Sequence, residues 1–270
     1  MRTVRRPLAL LATVVAVTAG TAAMTTPAFA AKKKATPVTV LVTNDDGYAA
    51  PGIDAVVEAL RTVKGTKIVV SAPATNQSGT GGKVTGGTLT ATQATTKSGY
   101  PATSVQGFPA DSVIHAIQTA GVKPAVTVSG CNAGQNLGPV TDISGTVGAA
   151  RQSAKLGVPA VATSQQLNDA PDFPTCARLA REWLVEWLKT TKNGTKVATP
   201  STIDSINVPN CASGSIRGLY KTTVAPAGTE GALNSGTVPC ATTGTTYAND
   251  VLAFNDGWAT ITTVGLNPAS

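Results

Sequence analysis

Two adjacent aspartates, Asp45 and Asp46, stand where an apolar run ends in the stretch LVTNDDGYAAPG, residues 41–52. Neighbouring carboxylates closed by glycine and proline are most often a polar turn. They are also hard oxygen ligands of the kind that Mg²⁺ and Mn²⁺ take in proteins. The choice between a turn and a metal site depends on what else the fold places beside the pair.

Two further polar loops follow apolar runs in the same way. The loop APATNQSGTGG contains Ser78, and the loop SGCNAGQNLG contains Asn132. In an open parallel sheet, ligands bind outside the carboxyl ends of the strands, so these loops are expected to lie along one edge with the aspartates. A serine hydroxyl and an asparagine carbonyl oxygen would complete an oxygen shell for a divalent cation. The sequence therefore predicts a metal site formed by Asp45, Asp46, Ser78 and Asn132.

A helix start near these loops is suited to an anion. In SGTVGAA, residues 144–150, Ser144 has the residue type of an N-cap. Ser144, Gly145 and Thr146 at this helix start, with the backbone N–H groups there, would then cradle a phosphate next to the metal. A divalent ion polarises a phosphoryl oxygen and lowers the pKa of bound water. Metal, anion cradle and carboxylates together predict hydrolysis of a phosphomonoester.

Alternating strand and helix patterns indicate how these loops are positioned. The run VTVLVT, residues 38–43, is rich in β-branched side chains, as expected of a strand buried on both faces. IDAVVEALRTV, residues 53–63, follows with apolar residues at helical spacing. Strands separated by helices of this length indicate right-handed crossovers and a mostly parallel sheet. The same patterns predict strands at 67–72, 124–130 and 159–164 and helices at 109–120, 145–157 and 175–191.

Three regions depart from this alternation. Residues 83–107 are rich in Thr, Gly and Val and are predicted to be extended excursions from the sheet. Residues 210–248 are poor in large apolar side chains, which indicates irregular hairpins or a protruding arm. Residues 251–264 are predicted to form a closing β-hairpin through the turn Asn255-Asp256-Gly257, because Asp-Gly is a common hairpin turn.

The first thirty residues have the pattern of a secretory signal. A basic start is followed by the apolar run PLALLATVVAVTAG and by Ala28-Phe29-Ala30, a small-residue cleavage pattern. That run is short for a membrane span of about 20 residues, so we expect export and no membrane contact after signal removal. The expected divisions are a signal peptide at 1–30, a basic flexible tail at 31–37 and one α/β domain at 38–270, with a core at 38–200 and a C-terminal β extension at 201–270.

Composition excludes some classes of function. The formal net charge is +7, but the basic residues show no interleaved aromatic pattern, so we expect no nucleic-acid polymer as a partner. The chain contains one histidine, His115, and therefore cannot form a two-histidine phosphatase centre.

Four cysteines, an even number in a chain expected to be exported, favour two disulfides with three possible connectivities. Cys211 and Cys240 flank a segment rich in Gly, Thr and Ser, so the first expectation is that they close this loop. Cys131 and Cys176 would then pair by elimination. The absence of a C-x-x-C spacing argues against a structural zinc site.

Several segments together resemble the SurE family, the survival-protein-E type nucleotidases. The similarity runs in order from about residue 38 to 190, and INVP (206–209) and NDVLAFNDGWATIT (249–262) are similar to the family's closing segments. The segments that carry it are VLVTNDDGYAAPGIDAV, SAPATNQSGTGG, QGFPADSV, VSGCNAGQNLG and ISGTVGAARQSAKLGVPAVATS.

The resemblance implies a Rossmann-like α/β fold with helices on both faces of a mostly parallel sheet, a protruding β-hairpin and a C-terminal β arm used in forming a dimer or higher homo-oligomer. It implies one divalent metal ion, Mg²⁺ or Mn²⁺, and nucleoside 5′- and 3′-monophosphates as substrates. The family's metal ligands fall on Asp45, Asp46, Ser78 and Asn132, with Asp45 preferred as the group that orients or deprotonates water. Its phosphate-contacting positions fall on Asn136, Ser144, Gly145 and Thr146.

Three departures from the family's pattern bear on its substrate. The family is largely cytoplasmic in bacteria, Cys131 occupies an apolar position beside Asn132, and Asp142-Ile143 replaces an aromatic residue that often precedes Ser-Gly-Thr. The alternatives to a secreted or extracytoplasmic nucleotidase are a broad phosphatase or exopolyphosphatase and a non-catalytic protein that binds a metal or an anion.

Overall fold

The structure is a computed structural model that describes residues 36–229, 232 and 234–268, with isolated positions 1, 3, 13 and 16 before them. Contacts within the chain divide it into two units, Met1–Ala35 and Thr36–Ser270, and the fold described below is that of the second. Apart from those four positions, the expected signal peptide lies outside the described residues, as do residues 31–35 of the basic tail. Within the described part, no helix is both long enough and apolar enough to cross a bilayer.

The described residues form eleven strands and five helices. The strands are β1 (Val38–Thr43), β2 (Thr66–Pro73), β3 (Thr90–Thr95), β4 (Pro101–Gln106), β5 (Val126–Ala133), β6 (Ala160–Gln165), β7 (Thr202–Val208), β8 (Cys211–Ser213), β9 (Leu219–Thr222), β10 (Val238–Pro239) and β11 (Ala259–Gly265). The helices are α1 (Pro51–Leu60), α2 (Pro109–Ile114), α3 (Gly145–Lys155), α4 (Phe173–Thr190) and α5 (Asp250–Asn255). A π-helical turn, His115–Thr119, continues α2.

A mixed sheet with the strand order β3-β4-β2-β1-β5-β6-β7-β11-β9 forms the centre of the fold. The six central strands β4, β2, β1, β5, β6 and β7 are all parallel, which confirms the predicted Rossmann-like α/β fold. Every predicted strand and helix from 38 to 191 is present, with ends shifted by a few residues. The carboxyl ends of β1, β2 and β5 therefore lie along one edge, as the sequence predicts.

Side chains of β1 alternate between two helical layers because successive residues of a strand point to opposite faces. Val40 and Val42 pack in a cluster with α1 and α4, whereas Leu41 packs with α2 and α3 on the other face. All three side chains are fully buried. Burial of a side chain of this size stabilises the fold by about 1.5–3 kcal/mol, so both layers hold β1 in place.

At both ends of the sheet, strands run antiparallel to the six central strands. β3 pairs antiparallel with β4, so the 83–107 region supplies an edge hairpin that joins the sheet through β4. At the other end β11 pairs antiparallel with β7 and parallel with β9. Residues 201–270 therefore contribute three strands, β7, β9 and β11, to the main sheet.

The predicted hairpin at 251–264 is wrong in its first half, which is helix α5. The Asn249 side chain accepts a hydrogen bond from the N–H of Leu252 at 3.1 Å and caps the helix. Val251 and Phe254 are fully buried three residues apart, which is a helical and not a strand spacing. Gly257, with φ +85°, follows the end of this helix and leads into β11.

Both predicted disulfides are present, Cys131–Cys176 and Cys211–Cys240. The second joins β8 to β10, which form a small separate sheet. Beside that sheet, Leu137, Ala225, Val238, Val251 and Phe254 belong to a small apolar cluster. The C-terminal region thus packs over the loop that follows β5.

Candidate metal and phosphate site

The loop after β1 is fixed by its own asparagine. The Asn44 side chain donates to the carbonyl oxygen of Gly47 at 2.9 Å and accepts from the Gly47 N–H at 3.2 Å. Such a turn can be made by Asn because its side chain reaches backbone groups a few residues on. The turn holds Asp45 and Asp46 at the carboxyl end of β1.

Asp45 lies against the first turn of α3 and is only 2% exposed. The Thr146 hydroxyl donates to Asp45 Oδ1 at 2.6 Å. A Cβ atom on Gly145 would come within 2.8 Å of Asp45 Cβ, so only glycine lets the helix approach this closely. Burial, with a contribution from the charge of Asp46, raises the pKa of Asp45 to about 6, although hydrogen bonds from Thr146 oppose the rise.

Asp46 faces β5 and the loop after β2. Its Oδ2 accepts from the N–H of Ala133 at 2.9 Å, and its Oδ1 accepts from the Asn76 side chain at 3.3 Å. Burial raises the pKa of Asp46 above its ordinary value, and the Ala133 N–H opposes that rise. The two aspartates therefore point to different elements while sharing one edge of the sheet.

The loop that carries Ser78 is tied to both aspartates and to α3. The Gln77 N–H donates to the Asp45 carbonyl oxygen at 2.7 Å. The Ser78 N–H donates to Asn76 Oδ1 at 2.8 Å, and Asn76 also contacts Asp46. Further along, the Gly81 N–H donates to the Ile143 carbonyl oxygen at 2.9 Å. Ser78 itself is exposed, and the contact that ties it to the site is made by its backbone through Asn76.

Asn132 lies at the carboxyl end of β5 and is 7% exposed. Its Nδ2 donates to the Gly134 carbonyl oxygen, and its Oδ1 is buried without a hydrogen-bond partner. A buried acceptor without a partner costs about 1–3 kcal/mol, so a ligand or an ordered water that reached this oxygen would stabilise the protein. Together with the two carboxylates, this oxygen fits the oxygen ligands that Mg²⁺ and Mn²⁺ prefer.

Asn136 is held by two other strands. Its side chain donates to Ser164 Oγ at 2.7 Å, and its backbone N–H donates to Asn207 Oδ1 at 2.6 Å. The Asn207 side chain returns a hydrogen bond to the Asn136 carbonyl oxygen at 3.3 Å. The position predicted to contact phosphate is thus set by β6 and β7.

Two side chains of the predicted anion cradle, those of Ser144 and Thr146, form hydrogen bonds within the protein. Ser144 caps α3, with its Oγ accepting from the Val147 N–H at 3.1 Å. The hydroxyl of Thr146 is directed at Asp45, and Gly145 packs on that carboxylate. The start of α3 therefore supports Asp45, and this contact was not evident from the sequence.

Sequence reasoning missed the side chains that support the predicted set. Asn76 bridges Asp46 and the backbone of Ser78, and Asn207 holds Asn136. Asn76 lies in the segment ATNQSG and Asn207 in INVP, but nothing in the spacing of these residues indicates which atoms they contact. Across the described residues, no three His, Cys, Asp or Glu side chains come together, so a cation at this edge would need neutral oxygens as well as the two aspartates.

Comparison with known proteins supports the resemblance. The profile of the family described as Survival protein SurE matches residues 40–230. A protein named 5′-nucleotidase SurE from Polaromonas naphthalenivorans is 35% identical over 184 residues, which cover 67% of this chain and 69% of that protein. Another of the same name, from Methanopyrus kandleri, is 41% identical over 132 residues, 48% of this chain and 50% of that protein.

A solved structure agrees with the sequence matches. The crystal structure of a SurE protein from Aquifex aeolicus superimposes with a TM-score of 0.64 at 25% identity, covering 86% of this chain and 95% of that one. The matched residues include every predicted site position from Asp45 to Thr146. The chain therefore belongs to the SurE family.

Proposed function

We propose that this protein is an exported, divalent-metal-dependent phosphomonoesterase that hydrolyses nucleoside 5′- and 3′-monophosphates to nucleoside and phosphate. Family membership and relatives named 5′-nucleotidase support the reaction class. The observation that carries the proposal is the edge of the sheet where buried Asp45, half-buried Asp46 and the partnerless Oδ1 of Asn132 lie. Burying carboxylates and an unpaired amide oxygen costs free energy that a bound cation would offset.

The cation, Mg²⁺ or Mn²⁺, would be held by Asp45, Asp46, Asn132 and Ser78. When bound, such an ion supplies charge that polarises a phosphoryl oxygen and makes bound water more acidic. The chain's own contribution is to hold the donors in place before the ion arrives. Hydrogen bonds to Asp46 and to the Asp45 carbonyl oxygen do this from the end of β5 and from the loop after β2.

Asp45 is the proposed group that orients or deprotonates the attacking water. Without a cation, burial raises its pKa to about 6, closer to neutral pH than that of an ordinary carboxylate. The Thr146 hydroxyl fixes the carboxylate through Oδ1, and Oδ2 lies against Gly145 at the start of α3. Asp46 would then act mainly as a charged ligand.

The phosphate would lie between the start of α3 and the loop after β5. Asn136, Ser144, Gly145 and Thr146 are the proposed contacts, the last three through the helix start. Because the Ser144 and Thr146 side chains already have partners, we assign their part to the backbone and to the shape of the helix start. The Asn136 carboxamide donates to Ser164 Oγ, so the second N–H of its Nδ2 is the one proposed to reach the phosphate.

Export is supported by the two disulfides, since such bonds persist in oxidising compartments. The test is N-terminal sequencing of the protein recovered outside the producing cells. Export predicts a mature chain that begins near Ala31. Recovery only inside the cell, with the first thirty residues intact, would contradict it.

Two other functions give different results in one assay. Phosphate release is measured from a panel of nucleoside 5′- and 3′-monophosphates, p-nitrophenyl phosphate and polyphosphate, with Mg²⁺, Mn²⁺ or EDTA. The proposal predicts release from nucleotides that stops with EDTA. Release from the generic ester or polyphosphate alone would indicate a broad phosphatase or exopolyphosphatase. No release by folded protein with any metal would favour a binding protein.

Sedimentation of the same sample tests the proposed homodimer or higher homo-oligomer.

A further inference from the structure

The disulfide Cys131–Cys176 ends one residue before Asn132. It joins β5 to α4 across 45 residues of sequence, with a Cα–Cα distance of 6.4 Å. Both cysteines are fully buried in the cluster between the sheet and the helices α1 and α4. A covalent bond to the helical layer is therefore adjacent to a proposed cation ligand.

The sheet itself does not fix the chain at this point. β5 pairs in register with β6 up to Ser129, opposite Ala162, and pairing resumes at Asn132, opposite Ser164. Three steps along β5 thus correspond to two along β6, which is a β-bulge. A bulge leaves its extra residue outside the ladder of hydrogen bonds, so residues 130 and 131 need another support.

Helix packing and the disulfide supply that support. A Cβ atom on Gly52 would come within 1.9 Å of the Cys131 carbonyl oxygen, so the backbone of α1 touches this residue. Toward β6, a Cβ atom on Gly130 would lie 2.1 Å from the Thr163 carbonyl oxygen, so the two strands touch here. Contact can resist movement toward a neighbour but not away from it, whereas the bond to Cys176 resists both.

The residues just after the bulge make the contacts that matter for the site. Asn132 has the buried Oδ1 without a partner, and Ala133 donates its N–H to Asp46 Oδ2 at 2.9 Å. A shift of Cys131 would move both groups relative to Asp46. We propose that the Cys131–Cys176 disulfide is a positioning element that holds Asn132 and Ala133 in place for the divalent cation, an inference that rests on the proposed function.

The second disulfide provides a matched control within the same chain. Cys211–Cys240 closes 29 residues with a Cα–Cα distance of 5.4 Å, and Cys240 is also buried. Cys240 packs in the cluster around Leu137 and not in the cluster that contains Cys131. Its removal should affect stability to a similar degree without disturbing the bulge in β5.

The experiment compares Mn²⁺ binding to the oxidised wild-type protein, Cys131→Ala/Cys176→Ala and Cys211→Ala/Cys240→Ala. Bound and free Mn²⁺ are measured by electron paramagnetic resonance without substrate, so turnover does not enter. Changes to groups that orient metal ligands typically weaken affinity 10–100-fold, and we expect at least about 10-fold weaker binding in the first variant. The second variant should bind within twofold of wild type. Hydrogen exchange in residues 130–137 should rise only in the first variant.

Each outcome decides the inference. Equal Mn²⁺ affinity in all three proteins would overturn it, and so would equal weakening in both variants, which would indicate a general loss of stability. Wild-type protein that binds no Mn²⁺ would instead contradict the metal site of the proposed function. Because two alanines leave space in the core, Cys131→Val/Cys176→Ala serves as a better-packed second variant with the same expected weakening.

Discussion

The Thr146 hydroxyl donates to Asp45 Oδ1 at 2.6 Å and so joins two buried residues that are 101 positions apart in sequence. The contact links the end of β1 to the start of α3. Gly145 allows it, since any larger residue there would collide with the carboxylate. Thr146 therefore orients the proposed catalytic aspartate through its side chain, a different role from the phosphate contact that the family resemblance implies.

Thr146→Val tests this role because it removes the hydroxyl and keeps the shape. Loss of a hydrogen bond that orients a metal-site carboxylate should lower kcat/KM about 10–100-fold. Thr146→Ser keeps the hydroxyl and should stay within a few-fold of wild type. Steady-state kinetics on a nucleoside monophosphate measures both. Equal activity of the valine and serine variants would contradict the assignment.

Asp45→Asn should stabilise the metal-free protein at pH 8. Burial, aided by the charge of Asp46, raises the pKa of Asp45 from 3.8 to about 6 in the folded state. The folded state therefore binds this proton more tightly than the unfolded chain does, and stability is lost as the pH rises from about 4 to 6. At 1.36 kcal/mol per unit, the gain from removing the charge is on the order of 2–3 kcal/mol.

Urea unfolding in EDTA at pH 8.0 and pH 4.5 measures this effect. The advantage of Asp45→Asn over wild type should shrink by more than half at the lower pH, where the folded wild type is already protonated. An advantage that grows on acidification would contradict the direction of the pKa shift.

The regular part of the fold was predictable because each βα unit has its own periodic pattern. The strand at 38–43 is a continuous apolar run, and the helix that follows has apolar residues at helical spacing. The C-terminal hairpin was mispredicted because Asp-Gly ends helices as well as hairpins. The distinguishing signal was Asn249, which caps α5 three residues before Leu252.

Asn249→Ala tests the corrected assignment. Loss of an N-cap typically costs about 1 kcal/mol, so the variant should unfold at a correspondingly lower urea concentration. Asn249→Asp can still accept from the Leu252 N–H and should match wild type. If both variants unfold at the wild-type midpoint, the cap does not contribute to the fold.

The location of the candidate site was predictable from the sequence, and its internal contacts were not. Parallel strands bring their carboxyl ends to one edge, so Asp45, Asp46 and Asn132 could be placed there from their loops alone. The partner of each side chain depends on how closely α3 and the loop after β2 approach β1. That distance is set by packing between residues far apart in sequence, which no local pattern encodes.

Asn207→Leu should weaken phosphate binding without changing cation binding. The Asn207 side chain contacts both backbone polar groups of Asn136, at 2.6 and 3.3 Å, and is fully buried. Its loss should free the Asn136 loop and raise the inhibition constant of inorganic phosphate about 10-fold, with Mn²⁺ affinity within twofold of wild type. The backbone N–H and carbonyl oxygen of Asn136 would lose their partner, and each buried group left unpaired also costs about 1–3 kcal/mol of stability.

Asn210→Leu is the control for that loss of stability. Asn210 is also a buried carboxamide near the end of β7, but it contacts Gln165 and Gln166 and not Asn136. It should lose stability while keeping the wild-type inhibition constant. A similar change in both variants would show that Asn207 has no particular role at the site.

The central claim is that Asp45 and Asp46 hold the cation needed for hydrolysis. The most direct measurement is phosphate release from a nucleoside monophosphate in saturating Mn²⁺ by wild type, Asp45→Asn, Asp46→Asn and the exposed control Asp169→Asn, each checked for folding by circular dichroism. We predict that the first two variants lose at least about 1,000-fold in kcat/KM, roughly 4 kcal/mol of transition-state stabilisation, and that the control matches wild type. Wild-type rates in both Asp45→Asn and Asp46→Asn would contradict the account.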